Sequence, residues 1–392
     1  MRCSLRLALR WLALVPATFC TGLAFSQTVA AQAYVDRVLD QSEPARLGDS
    51  DEPAPDIDGW PRGYHFDTQL RTTRTGGTSS TAQYLNFDGF LQTPNYGSWS
   101  ASGTLFKSND IASLGGSPGN VSGATLRIDQ RGMPVGDGWL LNNSAGDTNS
   151  LVLPISRGLG HLQMPAAPIE GLSTELTRSD STVIQASLGW LGYFNGQDIQ
   201  GFSLERGSMA SLGMQTRLMG ASAQSASRLD AGAQFQHADN VPQNGVAGTE
   251  QSTDSLWAGL NWQGQAPWAQ GPGRSGPGLM DRLGGMQLQT NFLLSSGRPS
   301  TALSTAPADR ALGLWTDASW RTEWLRNAVS LFYFQPSLRW GAANVASDIE
   351  GLSFRSDMGS RQWQLGWSTE LSRPVSNPAQ FSTFTGVNAR YS

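Results

Sequence analysis

From Gly63 to the C-terminus the chain is a succession of segments, each roughly ten residues long, in which apolar and polar side chains alternate strictly. Gln362–Ser372 shows it most clearly: Trp363, Leu365, Trp367, Thr369 and Leu371 fall on one side, and Gln362, Gln364, Gly366, Ser368, Glu370 and Ser372 on the other. Met286, Leu288, Thr290, Phe292 and Leu294 alternate with Gln287, Gln289 and Asn291 in the same way. Leu312 to Trp324 extends the pattern, with Gly313, Asp317, Ser319, Arg321 and Glu323 on the polar side. Shorter examples are Leu212–Leu218, Leu256–Gln263 and Ala124–Arg131. A period of two belongs to a strand, because successive Cβ atoms point to opposite faces of a sheet. About fifteen such segments, separated by clusters of Gly, Ser, Asn, Asp and Pro, exclude a helical fold.

Two all-β architectures fit, a membrane barrel and a soluble sandwich or solenoid. In a sandwich the inner face is rich in Val, Ile and Leu and the outer face is charged. Here the polar side is mostly Gln, Asn, Ser, Gly and Arg, the apolar side carries Trp, Leu, Phe and Met, and only 15% of all residues are charged. That inversion suits a wall with lipid outside and water inside. An unpaired backbone amide or carbonyl in hydrocarbon costs several kcal/mol, so a spanning sheet has to close on itself. The expected fold is an all-β, antiparallel transmembrane β-barrel of about 14–16 strands, either complete in this chain or part of a larger barrel. Trp190, Trp262, Trp324, Trp340 and Trp363, at segment ends, are candidates for the interfacial girdles.

The N-terminus fits export. Arg2, Arg6 and Arg10 precede an apolar stretch from Trp11 to Phe25, followed by Ala31-Gln32-Ala33, the layout of a signal peptide over residues 1–33. The stretch is too short for a spanning helix and is broken by Pro16. Both cysteines, Cys3 and Cys20, lie inside it, so disulfides and thiolate chemistry are not expected after cleavage. Loss of three arginines and no acids takes the formal net charge from −4 to −7, which gives no reason to expect nucleic acid as a partner. Residues 34–62, rich in Pro and acidic groups, read as a periplasmic lead-in to a barrel over 63–392.

Three breaks in the alternation read as loops. Met133–Glu170 is either a plug or constriction folded into the lumen, or a long extracellular loop with one weakly patterned hairpin. Gln263–Arg282, with Gly271-Pro272-Gly273 and Gly276-Pro277-Gly278, reads as a mobile external loop, and Asp239–Thr253 reads the same way. Arg127, Asp129, Arg131, Arg217, Arg321 and Glu323 sit on the polar side and are candidates to line a lumen, together with Arg157 and His161 if the first loop enters it. Pairing of arginines with carboxylates to fill a narrow barrel is the structural alternative for the same residues. His65, His161 and His237 have no metal-like spacing, and no nucleophile elbow or phosphate loop occurs, so neither catalytic residues nor a cofactor or metal site is assigned.

The run Phe334-Gln335-Pro336-Ser337-Leu338-Arg339-Trp340-Gly341, with Ser347-Asp348-Ile349-Glu350-Gly351 and Arg361-Gln362-Trp363, resembles segments of large proteobacterial outer-membrane barrels of unassigned function. Gln130–Pro134, Gly138-Trp139-Leu140 and Ala145-Gly146-Asp147 resemble the same group. The resemblance is distantly porin-like or usher-like and implies a location in the Gram-negative outer membrane. The separate soluble domains of ushers are not visible. Such barrels usually end on an aromatic residue, whereas this chain ends Asn388-Ala389-Arg390-Tyr391-Ser392, so either Tyr391 serves instead or the chain is a piece of a longer barrel.

The functional expectation is a channel or translocation pore that passes a solute or polymer. The alternative is a plugged structural or surface-interaction barrel acting through its external loops. A third reading, a membrane hydrolase with a Ser-His-acid site, would need one of the three histidines. The expected partners are outer-membrane lipid and, during biogenesis, the barrel-assembly machinery.

Overall fold

The computed structural model describes residues 60–392 except 76–77, 109–120, 158–161, 179–181, 196–200, 221–226, 244–245, 265–284, 300–308, 322–324, 360–361 and 392. The signal peptide and most of the lead-in therefore lie outside the described residues, as do His161, Glu323 and Trp324.

Eighteen strands follow in order: β1 (Arg62–Thr75), β2 (Thr78–Thr93), β3 (Gly97–Ser108), β4 (Val121–Gly136), β5 (Trp139–Asn149), β6 (Pro168–Arg178), β7 (Thr182–Asn195), β8 (Gly201–Met219) and β9 (Ser227–Gln243), then β10 (Val246–Gly264), β11 (Gln287–Pro299), β12 (Asp309–Arg321), β13 (Leu325–Phe334), β14 (Arg339–Trp340), β15 (Ala343–Asn344), β16 (Ile349–Gly359), β17 (Trp363–Arg373) and β18 (Ser382–Tyr391). All but β14 and β15 form one sixteen-stranded antiparallel meander in which each strand pairs only with its neighbours in sequence. The small hairpin β14–β15 stands apart from it. No ladder joins β1 to β18 among the described residues.

The alternation read from the sequence is the face assignment of the sheet. Leu256 and Leu260 of β10 are exposed, while Ser255, Trp257 and Asn261, at alternate positions on the same strand, are buried. Across the ladders the apolar residues align, for instance Ala258↔Phe292 and Phe292↔Leu314. The polar face aligns as well, as in Ser173↔Ser187, Ser187↔Ser211 and Ser211↔Gln236.

Two of the expected loops are in part strands. About half of Met133–Glu170 belongs to β4, β5 and β6, with the turn at 137–138 and residues 150–167 outside them. The turn between β4 and β5 is the two residues Asp137 and Gly138, both with positive φ (48° and 76°), which matches the strand twist of a tight hairpin. Bulges between Gln130 and Met133 and between Pro134 and Gly136 break the period there and disguise the strands. Asp239–Thr253 is likewise mostly β9 and β10, with register shifts on β10 that interrupt the alternation.

The meander also fixes on which side each connection emerges. An even number of strands returns the chain to its starting end, so the connection after β10 leaves from the end where β1 begins. A periplasmic lead-in before β1 and an external loop at Gln263–Arg282 are thus incompatible expectations. Residues 265–284 themselves lie outside the described residues.

Candidate functional site

The site is the polar face of the sheet, and the connections after β5 and after β13, which leave from the same end, lie against it. Residues 150–157 run across it, ending in a 3₁₀ turn at Pro154–Arg157. The wall holds this segment by its backbone. Ser187 Oγ accepts the N–H of Leu151 (2.9 Å), and Gln234 donates to the Leu151 carbonyl (2.7 Å) while accepting the Leu153 N–H (3.2 Å). Gln215 accepts the N–H of Ile155 (2.9 Å) and Gln289 donates to its carbonyl (2.8 Å). The carboxamides thus stand in for a neighbouring strand, satisfying peptide groups that burial would otherwise leave unpaired.

The second segment, residues 335–348, carries β14 and β15 and is held in the same manner. Ser255 Oγ donates to the Arg339 carbonyl and accepts the Gly341 N–H, Thr253 Oγ1 donates to the Gly341 carbonyl, and the Arg339 N–H reaches Ser295 Oγ. Gly341 has φ +55°, and a Cβ there would lie 2.4 Å from Gln236 Oε1, so a larger residue would have to push that side chain off the wall.

Between the two segments lies an apolar core on the polar side of the sheet. Val152, Leu153, Ile155, Leu162 and Met164 pack with Leu338 and Trp340, and beneath them lie Trp257, Leu293, Trp315, Phe332 and Phe334 of the wall. Trp340 is therefore a core residue and not part of an interfacial girdle; Trp190 and Trp363 are exposed on the apolar face. The alternation on β10–β12 disguises this core: Trp257, Leu293 and Trp315 occupy polar-side positions, where they read as exceptions to the pattern.

Beyond the inward segments, the wall of β1–β5 lines an open polar cavity of about 690 Å³, bordered by His65, Asp67, Asn86, Asp88, Thr104, Thr125, Arg127 and Asp147 among others. Arg127 grips Asp129 with Nε and Nη2 (2.7 and 2.9 Å), Ser144 donates to the same carboxylate, and Arg131 approaches it at 3.5 Å. Three of the expected lumen residues are thus one cluster, in which two guanidiniums share one carboxylate.

Arg217 belongs to a second cluster of the same form: it and Arg228 share Asp230 at 3.5 and 2.5 Å, and the Asp230 side chain is only 3% exposed. Arg228 and Asp230 were not singled out from sequence, although Arg-Xaa-Asp on one face repeats the spacing of Arg127 and Asp129 and recurs at Arg355 and Asp357. Arg157 stands apart, exposed at the end of the 3₁₀ turn. Arg321 closes β12 opposite Arg326.

The two described histidines, His65 and His237, each face one carboxylate. On the polar face, the row His65↔Asp88↔Ser102 places the carboxylate in the middle, whereas a nucleophile needs the imidazole between itself and the acid. His237 meets Asp254 (2.8 Å) on the opposite, apolar-side face. Among the described residues no group of three or more His, Cys, Asp or Glu could hold a metal ion.

No family model and no curated protein matches the chain. Solved structures similar to it include the Pseudomonas aeruginosa proteins OccK5 (OpdH), at 11% identity and TM-score 0.42 over 84% of this chain and 83% of that one, and OccK9 (OpdG), at 11% and 0.43 over 84% and 86%. Pseudomonas putida OprB is similar at 9% identity and TM-score 0.40, covering 84% of this chain and 93% of its own.

Proposed function

We propose that the protein is an outer-membrane channel whose polar face lines a water-filled passage, narrowed by segments 150–157, 162–167 and 335–348. One observation carries this reading: burial is inverted relative to a soluble protein. Gln185, Gln215, Gln234, Gln236, Gln289 and Asn291 are buried, while Leu172, Leu212, Leu218 and Leu260 are at least half exposed on the other face. A contiguous apolar surface of this kind marks contact with another apolar phase, and a sheet that spans lipid meets it along a whole face. No helix of the described residues is long and apolar enough to cross a membrane, so strands are what would cross it.

The passage runs along β1–β5, away from the two inward segments, where the charges are arranged as partly neutralised clusters. Its cargo is a polar solute small enough to pass beside the inward segments. The lining supplies hydrogen-bonding and charged groups of the kind that a polar solute exchanges for water on its way through, which supports transport. Reconstitution into planar bilayers tests this, with stepwise current expected. Insertion without current at any voltage would instead favour a plugged barrel working through its outer surface.

A further inference from the structure

We infer that β1 and β18 pair with each other in one particular register, Asp67 opposite Arg390, and that this seam closes the sheet around the passage. The inference rests on the membrane reading above, because it is in hydrocarbon that an unpaired strand edge becomes costly.

Three independent features converge. First, the sheet has an even number of strands, so β1 and β18 run in opposite directions, as an antiparallel seam requires. Second, the accumulated stagger fits. A row followed perpendicular to the strands from Phe66 stays on paired strands as far as Arg298 of β11 and, carried on at the registers of the remaining ladders beyond their ends, arrives level with Val375. Pairing Phe66 with Tyr391 therefore demands a shear of about sixteen residues over the sixteen strands, which corresponds to a strand tilt of roughly 37°, within the range that barrels adopt.

Third, the chemistry matches on both faces. On the apolar side Thr68 meets Ala389 and Leu70 meets Val387. On the polar side Asp67 meets Arg390 and Gln69 meets Asn388. The β18 assignments follow from its ladder with β17, which puts Asn388 opposite Gly366 on the polar side and Val387 opposite Trp367 on the apolar side. A shift of one residue would set inward-facing side chains of one strand against outward-facing ones of the other, and a shift of four would set Arg390 against Arg71.

The test uses the full-length chain with Cys3 and Cys20 replaced by serine, so that introduced thiols are the only ones. Gln69→Cys with Asn388→Cys should form an intramolecular disulfide on mild oxidation of the membrane fraction, identified by mass spectrometry of the linked peptides. Gln69→Cys with Phe384→Cys, four residues out of register, should not. Cross-linking between chains in place of within them would overturn the seam in favour of a second copy, and no cross-link in carbonate-resistant, membrane-inserted protein would overturn it outright.

Charge reversal gives a second readout. Asp67→Arg and Arg390→Asp should each lower the thermal midpoint, and the double variant should restore it; additive losses in the double variant would count against the pairing. Failure to insert at all would sink the membrane reading itself, which separates the two outcomes.

Discussion

The side chain of Gln234 reaches across 81 residues of sequence to hold Leu153 and, through its amide nitrogen, the carbonyl of Leu151. With Ser187, Gln215 and Gln289 it fixes where segment 150–157 lies. Gln234→Leu removes both bonds and leaves a buried donor and acceptor without partners, a loss of about 2–4 kcal/mol. The segment should loosen from the wall while the ladders stay intact. Unit conductance is expected to rise and the unfolding midpoint in urea to fall; unchanged conductance would separate the segment from the passage.

The buried carboxylate of Asp230 is shared by Arg217 and Arg228 and offsets one of their two charges. Asp230→Asn keeps the shape and removes the charge, leaving two guanidiniums facing each other. Breaking a buried pair of this kind costs about 3–5 kcal/mol. The reversal potential under a salt gradient should move toward anion preference, and the Arg217→Gln, Asp230→Asn double variant should move partly back.

Trp257 is fully buried in the core between the wall and the inward segments, although it belongs to the polar side of β10. Trp257→Ala should destabilise by about 3–5 kcal/mol. Leu260→Ala, on the exposed apolar face of the same strand, should cost far less when the protein is in detergent. Chemical denaturation of the two variants side by side provides the comparison, and equal losses would mean that the faces are assigned the wrong way round.

Asp348 lies outside the spanning strands, in the connection before β16, and the hydroxyl and N–H of Ser376 hold its carboxyl below the ordinary carboxylate range. A carboxyl with a depressed value in the folded protein contributes stability above its unfolded-state value and loses it as pH falls through the folded one. Below the usual aspartate range the tie between residues 348 and 376 should therefore release. The protection of the Ser376 amide, measured as exchange relative to an unprotected amide at the same pH, should fall on acidification in the parent protein and be low at every pH in Asp348→Ala.

The apolar-side alternation was legible wherever the ladder is regular, because lipid contact and the pleat both impose a period of two. Trp363, Leu365 and Trp367 carry it without interruption, and so do Leu288, Thr290 and Phe292. It failed at bulges: the register shifts beside Gln130 and Pro134 concealed β5, and those at Glu250 and Gln251 concealed the hairpin of β9 and β10. The site was less legible than the sheet. Arg127, Asp129 and Arg131 are neighbours on one strand and could be grouped from spacing, but Arg217 meets Asp230 only through the β8–β9 register. The grip of Gln215, Gln234 and Gln289 on a segment from elsewhere in the chain leaves no local trace at all.

Because both inward segments enter from one end and settle on the flank formed by β7 to β13, the proposed passage is eccentric, displaced toward β1–β5. The two flanks then answer to different demands. Substitutions along the crowded side should register chiefly as changes in robustness, whereas those along the bare side should alter which solutes get through and how fast.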